Sequence, residues 1–149
     1  MRTKTKRHQP QVKLFGFQSR DRLKLPLYLA SIAAGFPSPA DDFLDKKLDL
    51  NEHLIRHPAA TFFVRVQGNS MIQAGIHSGD VLIVDRALEP ADRKIVVAVV
   101  NGELTVKRLR RKKDRTFLAA ENPEYRDLEI TPEMDFDIWG VVVHVIHSV

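Results

Sequence analysis

Two apolar runs joined by Asn101-Gly102 constrain the fold more than any other feature of this chain. Ile95 to Val100 contains only Ile, Val and Ala, and Glu103 to Leu109 follows as a second run with Leu104, Val106 and Leu109. Asn-Gly is the preferred pair of a two-residue hairpin turn, because both central positions need a positive φ. The turn sets the register of an antiparallel hairpin: Val100 faces Glu103, Ala98 faces Thr105 and Val96 faces Lys107. An unbroken apolar run of this length suits a strand covered on both faces.

The pattern around the hairpin is also of strand type. Thr61 to Gln67 is rich in aromatic and β-branched residues, Val81 to Val84 is apolar, and further strands are expected at Thr116 to Ala120 and Ile138 to Ile146. Two short helices are expected ahead of them. Ser38 with Pro39 has the form of a cap and first helical residue, with Phe43, Leu44 and Leu48 as the inner stripe. Asp49-Leu50-Asn51-Glu52 has capping-box spacing, with Pro58 as the stop of the second helix. Residues 31–37 should be extended, since Phe36 and Ser38 each precede a proline. Residues 1–24 show no sustained period and are expected to form an arm. The fold class is therefore mainly β, with an arm and two short helices before the strands.

Charge divides the chain unevenly. Residues 1–34 hold eight Lys and Arg against the single acid Asp21, an excess of +7, whereas residues 35–149 hold fifteen basic and eighteen acidic side chains, a balance of −3. Such an arm can make a weak, salt-dependent contact with nucleic acid, or simply be a solvated tail. With no cysteine in the chain, disulfides, thiolate metal sites and a cysteine nucleophile are excluded. No apolar run reaches the roughly 18 residues that span a bilayer, so a soluble cytoplasmic protein with no membrane association is expected.

The residues capable of chemistry are few. Gly68-Asn69-Ser70-Met71 follows a strand, which puts the Ser70 hydroxyl on a turn leaving a sheet, and a glycine there lets another backbone approach closely. Alone, that is an ordinary turn serine. Lys107 changes the reading, because the hairpin register surrounds it with Val96, Ala98, Thr105 and Leu109 and with no acid. Desolvation favours the neutral amine, and a neutral lysine can take a proton from a serine hydroxyl. The bland alternative is an edge lysine whose head reaches water.

Other candidates carry less. His53 and His57 are four apart on an expected helix, but no Glu follows His53 and no third ligand is indicated, so no metal is expected. Nothing in the sequence couples His77, His144 or His147 to Ser70. Asp80 and Asp85 bracket a strand and fit turn and cap roles. Arg108, Arg110, Arg111, Lys112, Lys113 and Arg115 read first as a solvated basic loop beyond the hairpin and second as a nucleic-acid contact.

Together the motifs resemble the LexA/UmuD-type self-cleaving serine peptidases, most closely the UmuD branch. The likeness runs from about Ala33 to the C-terminus. It is carried by Ala34-Gly35-Phe36-Pro37-Ser38-Pro39-Ala40, Asp49-Leu50-Asn51, His57-Pro58, Gly68-Asn69-Ser70-Met71, Ser78-Gly79-Asp80-Val81-Leu82-Ile83-Val84-Asp85, Asn101-Gly102-Glu103-Leu104-Thr105-Val106-Lys107 and Gly140-Val141-Val142-Val143-His144-Val145.

The resemblance implies a β-rich peptidase domain over residues 35–149 and an arm, residues 1–34, removed by self-cleavage at Ala34-Gly35. It implies Ser70 as nucleophile, Lys107 as general base and an oxyanion site at the backbone N–H groups of Asn69 and Ser70. It needs no cofactor. The implied setting is the SOS response, in which a RecA filament on single-stranded DNA stimulates the cut. The truncated homodimer then serves a UmuC-type polymerase in translesion synthesis. Residue 34 is alanine, as in LexA-type repressors, where UmuD-type sequences can carry cysteine. Roughly 36 residues between the cut and Ser70 reach on the order of 100 Å when extended, which permits attack within a chain or across a dimer.

Three alternatives differ in class. A LexA-like self-cleaving repressor needs a helix-turn-helix before the cut, and the 34 residues there lack two clear amphipathic helices. A signal-peptidase-like enzyme would act on other chains and normally carries a membrane anchor. The third is a non-catalytic β-rich interaction module.

Overall fold

The computed structural model describes residues 14–16, 23–28 and 44–149. It comprises two units, residues 1–17 with 57–149, and residues 18–56. Among the described residues no helix is long and apolar enough to cross a membrane.

The larger unit holds β1 (Leu14–Gly16), β4 (Thr61–Arg65), β5 (Val81–Asp85), β6 (Ile95–Val100), β7 (Glu103–Lys112), β8 (Arg115–Ala119), β9 (Leu128–Ile130) and β10 (Phe136–Ile146). They form one antiparallel sheet in the order β1-β4-β5-β10-β6-β7-β8-β9. The mainly β class is as expected. So is the central hairpin, in which Val100 pairs Glu103, Ala98 pairs Thr105 and Val96 pairs Lys107. Asn101 and Gly102 both have positive φ, 49° and 80°, as the turn requires.

Successive residues of β6 pack on opposite faces of the sheet. Val97 packs into one cluster with Val64, Val66, Met71, Ile76, Leu82 and Val84, while Val96 and Ala98 pack into a second with Leu109, Leu118 and Val141. The apolar run is thus covered on both faces, and each fully buried Leu, Ile or Val contributes roughly 1.5–3 kcal/mol relative to exposure. Strand β10 serves two neighbours, pairing with β5 on one side and β6 on the other, and its register shifts once against each. Such bulges let one long strand serve partners of different twist.

Two expectations need correction here. The basic run from Arg108 to Lys112 is strand rather than loop, since β7 continues and pairs with β8, Leu109 against Leu118. Both leucines are essentially inaccessible, and their burial outweighs the charges that alternate beside them. The arm also contains strand. Leu14, Phe15 and Gly16 pair with Val64, Phe63 and Phe62 of β4, a three-residue ladder too short to leave a local period.

The smaller unit contains β2 (Lys24–Tyr28), β3 (Leu44–Asp49) and helix α1 (Leu50–Leu54). The helix expected to follow Ser38 is not found over Leu44 and Leu48, which instead lie in β3. Leu48 pairs Leu25 and Leu44 pairs Tyr28. A ladder with a segment some twenty residues away competes successfully with local helix signals. Ser38, Pro39 and Phe43 lie outside the described residues, as does the extended passage expected over residues 31–37. The second helix forms: the buried Asp49 carboxylate caps it, accepting the Asn51 N–H at 2.9 Å, an arrangement worth about 1 kcal/mol. It ends at Leu54, and Pro58 opens a single 3₁₀ turn, Pro58–Ala60, in the other unit.

Candidate active site

Ser70 stands on the turn that leaves β4. The chain passes Val66, whose N–H donates to Asp80 O at 2.9 Å and whose carbonyl accepts the Gly79 N–H at 2.8 Å. Gly68 follows with φ 89°, its N–H donating to Ser78 Oγ at 3.1 Å. Nothing lies within 4 Å of where a Cβ on Gly68 would stand, so the glycine serves its left-handed backbone and not the close approach expected of it. Met71, 2% exposed, anchors the next residue in the core. The turn is therefore fastened on both sides of Ser70.

A second loop clamps it. The Ser70 carbonyl accepts the Glu121 N–H at 2.9 Å, Asn69 O accepts from Asn122 Nδ2 at 2.8 Å, and the Gln73 N–H donates to Glu121 O at 2.9 Å. The Glu121 carboxylate is paired with the Arg108 guanidinium. Arg108 is the neighbour of Lys107 on β7, so one residue, Glu121, ties the serine turn to the lysine strand. Nothing in the local sequence around Glu121 and Asn122 signals this role.

Lys107 Nζ lies 3.0 Å from Ser70 Oγ. It also lies 3.0 Å from Thr105 Oγ1 and 3.1 Å from Val106 O. Burial pushes the Lys107 ammonium below the usual lysine range, and among the described residues no carboxylate pairs with it. The pair opens into a cleft of about 210 Å³, lined on its apolar side by Val64, Val66, Val97, Leu104 and Val106. An amine of lowered basicity in contact with an alcohol in such a cleft has the chemistry of a nucleophile and its base. No described residue accepts the backbone N–H of Asn69 or Ser70. Ala34 and Gly35 lie outside the described residues.

The remaining candidates are placed as follows. His57 Nδ1 meets Asp85 Oδ2 at 2.6 Å, and Asp85 Oδ1 accepts the Ala87 N–H at 2.8 Å, a turn role of the kind expected. His53 is exposed in the last turn of α1, and His144 is exposed on β10. His77 and His147, 70 positions apart in the chain, come together about Asp80. No sequence spacing signals that cluster.

The comparisons agree with this architecture. A family model described as Peptidase S24-like matches residues 26–143. The chain is 50% identical over 123 residues to Protein ImpA of Escherichia coli, covering 82% of this chain and 83% of that protein. It is 46% identical over 121 residues to Protein MucA of Escherichia coli, covering 80% and 82%. It is 40% identical over 119 residues to a LexA repressor of Stenotrophomonas maltophilia, covering 80% of this chain and 56% of the repressor. With this breadth of match, the chain belongs to the Peptidase S24-like family, as a UmuD-type member of its LexA and UmuD group.

Proposed function

We propose that this protein is a self-cleaving serine-lysine peptidase of the SOS mutagenesis response, cut between Ala34 and Gly35. The observation that carries the reading is the 3.0 Å approach of Lys107 Nζ to Ser70 Oγ, with no competing carboxylate among the described residues. Neutral Lys107 accepts the Ser70 hydroxyl proton as Oγ attacks the Ala34 carbonyl carbon. The developing oxyanion is held by the backbone N–H groups of Asn69 and Ser70. Collapse breaks the Ala34–Gly35 bond, and the Lys107 ammonium returns its proton to the departing Gly35 amine. A water, deprotonated by the Lys107 amine, then attacks the ester carbon of Ala34, and the C–O bond to Ser70 breaks as Lys107 returns the proton to Ser70 Oγ.

Thr105 Oγ1 and Val106 O orient the amine, and burial lowers its pKa, which raises the neutral fraction able to act as base. The small side chains of Ala34 and Gly35 suit an extended segment in a narrow cleft, and attachment to the same chain raises its effective concentration. In this reading the RecA filament on single-stranded DNA stimulates the cut. The product, residues 35–149, acts as a homodimer with a UmuC-type polymerase in translesion synthesis. Losing residues 1–34 turns the net charge from +4 to −3 and removes the arm's attraction for nucleic acid.

Mass spectrometry of the incubated full chain, alone and with activated RecA, tests this. The expected product begins at Gly35. An intact chain under both conditions, or a cut elsewhere, contradicts the reading.

A further inference from the structure

We propose that His77, Asp80 and His147 form a binding site for a zinc-type divalent metal. The donor set is two imidazoles and one carboxylate, the mixture that zinc takes in three-ligand sites with one position left for water. The three ligand atoms lie within 4.8 Å of one another. His147 Nδ1 is 2.6 Å from Asp80 Oδ1, and His77 Nδ1 is 3.8 Å from Asp80 Oδ2. Metal–ligand bonds of about 2.0–2.2 Å at tetrahedral angles separate donors by roughly 3.3 Å, and each imidazole lies within about 0.7 Å of that spacing from one of the two Asp80 oxygens. The widest pair, at most 4.8 Å apart, would have to close by up to about 1.5 Å, shared between two exposed imidazoles.

A second observation points to a ligand. His77 Nδ1 is shielded from solvent and has no hydrogen-bond partner among the described residues. A hydrogen-bonded clamp between His147 and Asp80 accounts for Asp80 Oδ1 but leaves that nitrogen unsatisfied, which costs free energy that a metal would restore. The site is built before any ion arrives. The His77 N–H donates to Asp80 Oδ2 at 2.7 Å, the Asp80 N–H donates to His77 O at 3.1 Å, and the carboxylate is held in a residue only 3% exposed. The two histidine side chains are 44% and 46% exposed, leaving an entry path and room for a water ligand.

The same turn accepts the Val66 N–H and holds Gly68 through Ser78, so a metal there would brace the approach to Ser70 and fasten the chain end at His147 to it.

The test is equilibrium dialysis of the full-length Ser70→Ala chain against zinc, followed by metal analysis, with circular dichroism on every variant. One zinc per chain is expected. His77→Gln and His147→Gln should each weaken binding by about tenfold or more, while His53→Gln and His144→Gln should leave it unchanged. If His77→Gln does not fold, His147→Gln decides alone, because His147 lies beyond the last strand. Retention of zinc by His147→Gln at the parent's affinity, or no zinc retained by the parent, overturns the proposal.

Discussion

Ser70 Oγ and Lys107 Nζ meet at 3.0 Å although they are 37 positions apart in the chain. Neither residue brings the other there. Ser70 is set by the turn after β4, Lys107 by the register of a hairpin, and the two supports are joined through Glu121. The backbone at each position is thus held by groups other than the Ser70 hydroxyl and the Lys107 amine. Substitutions can therefore test chemistry without dismantling the fold.

Ser70→Ala and Lys107→Ala should each slow self-cleavage by about a thousandfold or more, the usual effect of removing a nucleophile or its base. Lys107→Arg should fail as completely, because a guanidinium does not give up its proton at accessible pH. Intact-mass time courses with circular dichroism check both statements. Normal cleavage in Lys107→Arg would exclude a general-base role.

Stability should carry the same signature. Burial lowers the Lys107 value in the folded chain, so between the folded and unfolded values the unfolded chain binds more protons and stability rises with pH. Below that window the penalty on the buried ammonium is complete, and above it the amine is neutral in both states. The stability of Lys107→Met relative to the parent should therefore be most favourable below that window and decline as pH climbs through it toward the value of a free lysine. Urea unfolding of the Ser70→Ala background with and without Lys107→Met measures the difference, and a difference independent of pH would contradict burial of a titrating amine.

Glu121 acts on position and not on protons. Glu121→Gln weakens its pairing with Arg108 while leaving the backbone bond to Ser70 in place. Cleavage should slow by about tenfold with the shape of its pH profile retained, since small misplacements of reacting groups are costly. A displaced pH profile would mean that Glu121 affects the lysine directly.

Gly140→Ala should destabilise the fold by about 1–3 kcal/mol, the usual range for overpacking. A Cβ there would stand 2.7 Å from Val84 Cγ1 and 3.0 Å from Asp85 O, where β10 crosses from β6 to β5. Thermal unfolding checks it, and an unchanged midpoint would show that the strand crossing can yield.

Self-cleavage should also change binding to single-stranded DNA. The uncut chain carries the +7 excess of residues 1–34, so its affinity and its salt slope should both exceed those of residues 35–149. Equal slopes in fluorescence anisotropy titrations would remove the arm from that contact.

What the sequence made legible was local or set by register. Asn101-Gly102 fixed which residues face Lys107, and Asp49 announced the cap of α1. What it hid was nonlocal. Leu44 to Asp49 carries helix signals, yet a ladder with Lys24 to Tyr28 decides its state. The arginines of β7 look solvated until Leu109 finds Leu118. The meeting of Ser70 with Lys107 could be inferred only from a family likeness, because no spacing rule links a turn after β4 to a strand four places away in the sheet. Glu121, Asn122 and the His77, Asp80 and His147 cluster likewise depend on loops whose closure leaves no periodic trace.

The central claim is that a neutral Lys107 activates Ser70, and the rate of self-cleavage of the full chain measured against pH tests it most directly. The rate should rise with pH across the neutral to alkaline range and level off below the roughly 10.4 of a free lysine, as burial of the amine requires. A rate that does not change across that range, or a plateau reached only above the free value, would contradict it.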